Sequence, residues 1–74
     1  MIIPPLTPVA SSNLAAVGYD SSQAELFVAF NTGTLYCYFH VPVVVYRGLM
    51  TASSHGSYFN YYVRRAGYSY VRLA

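Results

Sequence analysis

Catalysis needs groups of complementary protonation state held close together, and the residues of this chain that could serve are Asp20, Glu25, Cys37, His40 and His55. Their types and spacing form no recognisable set. Asp20 sits in Tyr19-Asp20-Ser21-Ser22, a polar cluster in which an Asp side chain usually binds the local backbone amides of a turn. Cys37 has no neighbouring base in the sequence and reads as a small buried thiol rather than a nucleophile. One cysteine and two well-separated histidines are thin material for a metal site, which takes three or four ligands. No glycine-rich loop precedes a lysine, so nucleotide phosphates have no cradle. The expectation is a non-enzymatic chain without cofactor, metal or small-molecule substrate.

The side chains that remain chemically expressive are tyrosine and arginine. The 74 residues include nine Tyr, and all four basic residues are Arg: Arg47, Arg64, Arg65 and Arg72. Both types dominate binding hot spots, because they combine contact area with directional hydrogen bonds. The stretch Tyr61-Tyr62-Val63-Arg64-Arg65 is the strongest interface candidate, with Arg72, Arg47 and His55 as further partner-binding candidates. Its alternative is structural: Arg64 could pair with Asp20 or Glu25 while Tyr58, Phe59 and Tyr62 complete the core. Tyr36 and Tyr38 flank Cys37 and share one face of a strand, so they form either a stacking platform for bases or part of the core. The structural role is the favoured one.

These residues need elements to hold them. Apolar residues make up 55% of the chain and charged ones 8%, far from the composition of a disordered segment, so the chain should fold. Its length allows a single thin core. With 18% aromatic residues, that core cannot enclose every ring, and some tyrosines must reach the surface. A net charge of +2 is too small for strong sequence-independent nucleic-acid binding. A lone cysteine excludes an internal disulfide, which favours a cytoplasmic chain. Neither a signal peptide nor a membrane-spanning run is visible, so no membrane association is expected.

Residues 1–10 carry Pro4, Pro5 and Pro8 and read as a stiff extended arm rather than a central strand. Ile2, Ile3 and Leu6 could dock this arm on its own domain, or on a partner, in which case removing residues 1–8 would not disturb folding. Strands are expected at Leu14–Tyr19, Glu25–Phe30 and Leu35–Phe39, with Leu26, Val28 and Phe30 on one core face and a turn at Asn31-Thr32-Gly33-Thr34. Pro42 begins a helix running to Ser53, with Val45, Leu49 and Ala52 on its apolar stripe and Gly56 as a stop signal. The first half of Ser57–Ala74 reads as a short second helix. The expected fold is α+β: a three-stranded antiparallel meander covered by one helix, in the order β-β-β-α, with a partly helical C-terminal segment.

The ordered series Ser11-Ser12-Asn13, Gly18-Tyr19-Asp20, Leu26-Phe27-Val28-Ala29-Phe30, Gly33, Tyr36-Cys37-Tyr38, Val41-Pro42, Val45-Tyr46, Ser54-His55-Gly56, Tyr58-Phe59-Asn60 and Val63-Arg64 resembles the KTSC domain family over residues 9–72. The resemblance implies one KTSC-like domain at residues 11–74. The family takes its name from the C-terminal extension of some lysyl-tRNA synthetases, also occurs as free-standing bacterial and phage proteins, and has been suggested to bind RNA. Here His55 stands where the family has a loop lysine, and Val43-Val44 replaces an acidic helix start, so this chain is less charged than the pattern. Histidine in place of lysine weakens the case for phosphate contact by that loop, because an imidazole is mostly uncharged at pH 7. The chain also resembles a small bacteriophage regulator that binds host RNA polymerase, inhibits initiation and promotes readthrough of terminators. That likeness implies action in the host cytoplasm on host RNA polymerase, with elongation factors as further partners. RNA binding through the Tyr and Arg surface is the alternative.

Overall fold

Strand β3 (Glu25–Phe30) carries apolar side chains on both of its faces, and the architecture follows from the need to cover both. The computed structural model describes all 74 residues. In chain order it has β1 (Thr7–Pro8), β2 (Leu14–Asp20), β3, β4 (Leu35–Tyr38), α1 (Val43–Thr51), α2 (His55–Phe59), a π-helical turn (Asn60–Arg64) and β5 (Tyr70–Arg72). The strands form one antiparallel sheet in the order β1-β2-β3-β4-β5. The expected α+β class and central meander hold, but the sheet has five strands where three were expected. Pairing supplied by neighbours makes strands of two segments too short to show a clear pattern alone.

On one face, Val17, Leu26, Val28 and Tyr38 pack with Leu49 of α1, Phe59 of α2 and Val63 of the π-helical turn in a buried cluster. The expected alternation of Leu26, Val28 and Phe30 toward the helices is present, with Leu26 and Val28 fully buried. Tyr19 fixes α1 to this face: its ring stacks on Tyr46 at 4.9 Å, and its hydroxyl donates to the Val41 carbonyl. The expected α1 stripe is present at Leu49, which is buried, and at Val45, Tyr46 and Met50 packed beside it, but Ala52, expected to extend it, lies past the helix end in extended backbone.

The opposite face is closed by the N-terminal arm. Phe27 and Cys37 are fully buried yet stand outside the helix-side cluster, and the register sets Gly18, Phe27 and Cys37 side by side. A Cβ at Gly18 would lie 2.7 Å from Leu6 Cδ2, 2.9 Å from the Pro5 carbonyl oxygen and 3.3 Å from Pro4 Cγ. Residues 4–6 therefore cross the back of the sheet in contact with Gly18. Of the two alternatives for the arm, docking on its own domain is the one realised, so removal of residues 1–8 would uncover apolar surface. Thr7 and Pro8 continue as an edge strand on β2, where a missing amide on the outer side costs no ladder bond.

Two helix boundaries differ from expectation. The first helix ends at Thr51, with Ala52 extended, and Gly56 does not stop a helix but lies inside α2. Ser54 explains the restart, because its Oγ caps the Ser57 amide at 3.3 Å. Gly56 also lies against the β2 approach, where a Cβ would come 3.3 Å from Asn13 Nδ2.

Gly18→Ala should lower stability by about 1–3 kcal/mol, the usual cost of forcing atoms into a packed contact. In a chain lacking residues 1–8, Cys37 should react with a thiol reagent faster by an order of magnitude or more, since each ~1.4 kcal/mol lost locally raises the open population about tenfold. Unchanged labelling would show that the arm does not cover this face.

Candidate functional site

Alternation along β4 places Tyr36 and Tyr38 on the helix side of the sheet, and β5 sets Tyr70 opposite Tyr38 and Arg72 opposite Tyr36. Phe30 of β3 and Phe59 of α2 approach from the sheet centre and from above. The chain leaves the π-helical turn through Gly67, whose φ of +84° suits glycine, and returns past Tyr68 into β5. These six rings and Arg64 line an open cleft of about 450 Å³.

Five of the rings, Phe30, Tyr36, Tyr38, Phe59 and Tyr70, contact one another in an unbroken network. Tyr38 packs edge-on against Phe59 at 5.6 Å and lies 5.6 Å from Tyr70, while Tyr36 lies 5.7 Å from Tyr70 and 6.2 Å from Tyr38. Phe30 bridges Tyr36 and Phe59 at 5.8 and 5.4 Å. Such a floor is rigid and presents π-faces and ring edges to whatever enters. Burial raises the Tyr38 hydroxyl pKa to about 12, with Tyr36 and Tyr70 adding to the shift and the Arg64 cation opposing it. The lining holds hydroxyls and one guanidinium but no carboxylate, imidazole or thiol. It is suited to gripping an apolar or flat group, with Arg64 able to bind a carboxylate or carbonyl at its rim.

The π-helical turn orients the arginine. Its wide loop is closed by the Arg65 amide donating to the Asn60 carbonyl at 3.1 Å. Val63 is thereby buried while Tyr61, Tyr62, Arg64 and Arg65 remain exposed. π-helical turns are rare and concentrate at functional sites. Of the partner-binding candidates Tyr61, Tyr62, Arg64, Arg65, Arg72, Arg47 and His55, Arg64 alone lines the cleft. Arg65 lies over the Tyr61 ring at 5.3 Å, and Tyr62 packs on Tyr58 at 4.4 Å, so these form a second aromatic surface on the same helical segment. Tyr58 reaches over α1 at Gly48, where a Cβ would collide with its ring.

Arg72 stands on β5 beside the cleft, its Nε donating to the Ala74 carbonyl at 3.1 Å. Arg47 is exposed on α1, away from the aromatic cleft. His55 lies elsewhere, in a hydroxyl-rich depression of about 410 Å³ with Ser11, Ser12, Asn13, Ser54 and Asn60. Its Nδ1 is 2.8 Å from the Leu49 carbonyl, which can only accept, so Nδ1 carries a proton.

Sequence reasoning left Phe30, Phe59, Tyr68 and Tyr70 out of the candidate site. The period-two series Tyr68, Tyr70, Arg72 was an available strand signal, but it is too short to distinguish from a tail. Tyr36 and Tyr38 serve both readings, since Tyr38 is core and also cleft floor. Cys37 is buried on the arm side, and desolvation, with Glu25 adding to it, raises its pKa to about 11, leaving an unreactive thiol at neutral pH.

The KTSC domain model matches residues 10–68. The chain belongs to the KTSC domain family. It is 41% identical over 63 residues to an uncharacterized protein of Stutzerimonas stutzeri, spanning 85% of this chain and 89% of that one. A lysine–tRNA ligase of Nostoc is 33% identical over 60 residues, which are 81% of this chain and 11% of the ligase. The crystal structure of a KTSC domain protein from Yersinia pestis superposes with a TM-score of 0.85 at 28% identity, covering 95% of this chain and 97% of that one. No helix is long and apolar enough to cross a membrane.

Tyr38 should be among the last tyrosines to ionise. Because its folded pKa lies above the ordinary value of 10, its contribution to stability is complete below pH 10 and is lost as the pH rises through about 12. An ultraviolet titration of tyrosinate should show this late step in the parent and lose it in Tyr38→Phe.

Proposed function

We propose that this KTSC domain is a non-catalytic binding module that acts on transcription by docking on host RNA polymerase through the aromatic cleft and Arg64. The carrying observation is the cleft itself, six rings around one guanidinium, open to solvent. A partner's aliphatic or aromatic side chain would fill it, with a carboxylate or carbonyl meeting Arg64, which is the pairing of anchor and pocket found at protein interfaces. The neighbouring Tyr61–Arg65 pair and exposed Tyr62 would widen the contact.

The choice of polymerase as partner rests on the likeness to a phage regulator of initiation and termination. Such a module would occupy or bridge polymerase subunits, inhibiting initiation and favouring terminator readthrough, with elongation factors as further contacts. The scarcity of charge supports a protein partner over a phosphate backbone: four arginines serve the whole chain, and only one lines the cleft. A second reading draws on the related segment in a lysine–tRNA ligase. There the same rings would stack on an unpaired RNA base while arginines meet phosphates.

The test is binding of the full chain to purified bacterial RNA polymerase, with a single-stranded RNA oligonucleotide in parallel. Arg64→Ala with Tyr68→Ala should weaken polymerase binding by about tenfold or more, as removal of interface anchors does. The same pair should restore initiation and terminator recognition in a transcription assay run below the variant's own melting transition, which loss of the partly buried Tyr68 ring should lower. Absence of polymerase binding, together with RNA binding whose affinity falls steeply with salt, would replace this reading by the RNA-binding one.

A further inference from the structure

The two edges of the sheet differ in a way that bears on self-association. At one edge, β1 is two residues long and includes Pro8, which has no amide to offer a newcomer. At the other, β5 has neither proline nor lysine, and Tyr70, Val71 and Arg72 are all exposed. Edge strands without such protection are templates for pairing with another strand.

The hydrogen-bond register shows which backbone groups are free. Across β4 and β5 the Phe39 amide donates to the Ser69 carbonyl at 2.9 Å, and the Leu73 amide donates to the Leu35 carbonyl at 2.7 Å, with Val71 opposite Cys37 between them. Residues 69, 71 and 73 therefore direct their backbone groups at β4. Tyr70 and Arg72 direct theirs outward, away from the sheet.

We propose that β5 pairs with β5 of a second copy of this chain, antiparallel about Val71, to join two five-stranded sheets into one. The sequence of the strand is self-complementary in this register. Tyr70 falls opposite the partner subunit's Arg72, and Arg72 opposite the partner subunit's Tyr70, so each guanidinium meets a ring and no two like charges face each other. The outward amides and carbonyls of Tyr70 and Arg72 satisfy those of the second copy in two hydrogen-bonded pairs. Val71 meets its own equivalent at the two-fold axis in the non-hydrogen-bonded pair, where side chains come closest. Because Tyr70 also lines the aromatic cleft, pairing brings a second cation to the rim of each cleft. The inference is independent of which macromolecule the cleft binds.

Sedimentation of the full chain from about 10 μM to about 1 mM, the range in which so small an interface should dissociate, should show the mass rising from 8.2 kDa toward twice that value. Arg72→Pro removes only an outward amide from the backbone and should leave a folded monomer at every concentration. Under oxidation, in a Cys37→Ala background that removes the thiol opposite residue 71 on β4, Val71→Cys should form a cross-linked dimer, while Tyr70→Cys, offset from the axis, should cross-link several-fold less. This comparison also decides the matter where Arg72→Pro proves unstable. A chain that stays at 8.2 kDa throughout, a folded Arg72→Pro variant that still dimerises, or equal cross-linking of the two cysteine variants would overturn the proposal.

Discussion

Burial of β3 on both faces is the constraint on which the rest of this fold depends. Leu26 and Val28 point to the helices and Phe27 to the arm, and all three are fully buried. A sheet with one wet face needs cover on one side only, whereas this one needs two. Helices α1 and α2 supply the first cover. The second comes from a few proline-stiffened residues, which lose little conformational entropy on docking and require a glycine opposite them to approach the sheet. Thus Gly18, the prolines and Phe27 form one structural unit although they are far apart in the chain.

The same shortage of core shapes the surface. A domain this small encloses 12 of its 74 residues, too few to absorb its aromatic side chains. The surplus is organised rather than scattered. Tyr36, Tyr38 and Tyr70 extend the core cluster outward from Phe59 and Phe30 and leave a gap that the π-helical turn and Tyr68 border but do not fill. The core and the cleft therefore share residues here, with Tyr38 belonging to both. Arg64 adds direction to an otherwise apolar surface, and its position depends on the wide helical turn that buries its neighbour Val63.

Membership of the KTSC domain family accounts for the order of the motifs along the chain and agrees with the Yersinia pestis fold. The tertiary structure adds a spatial meaning to two of those motifs. Ser11-Ser12-Asn13 and Ser54-His55-Gly56, over forty residues apart, line one polar depression in which Gly56 permits close approach to Asn13. Three of their polar side chains are engaged in local structure: Ser11 accepts from the Asn13 and Leu14 amides, Ser54 caps α2, and His55 holds the Leu49 carbonyl. This region joins the helices to the start of β2, while the aromatic cleft lies at the other end of α2.

Local pattern was enough to determine the central hairpins, the apolar stripe of α1, the helix-facing side of β3 and the excess of tyrosine and arginine over groups suited to chemistry. Those features depend on period-two or helical spacing and on turn residues, all of which act within a few positions. Only the tertiary structure decided that the arm belongs to the domain, that Tyr70–Arg72 is a strand, and that Arg64 rather than Arg47 or His55 meets the aromatic cleft. Each of these depends on partners distant in sequence: Gly18 for the arm, β4 for β5, and Phe59 with Phe30 for the cleft. A three-residue strand has too short a pattern to announce itself, and its conformation comes from the neighbour whose backbone hydrogen bonds it completes.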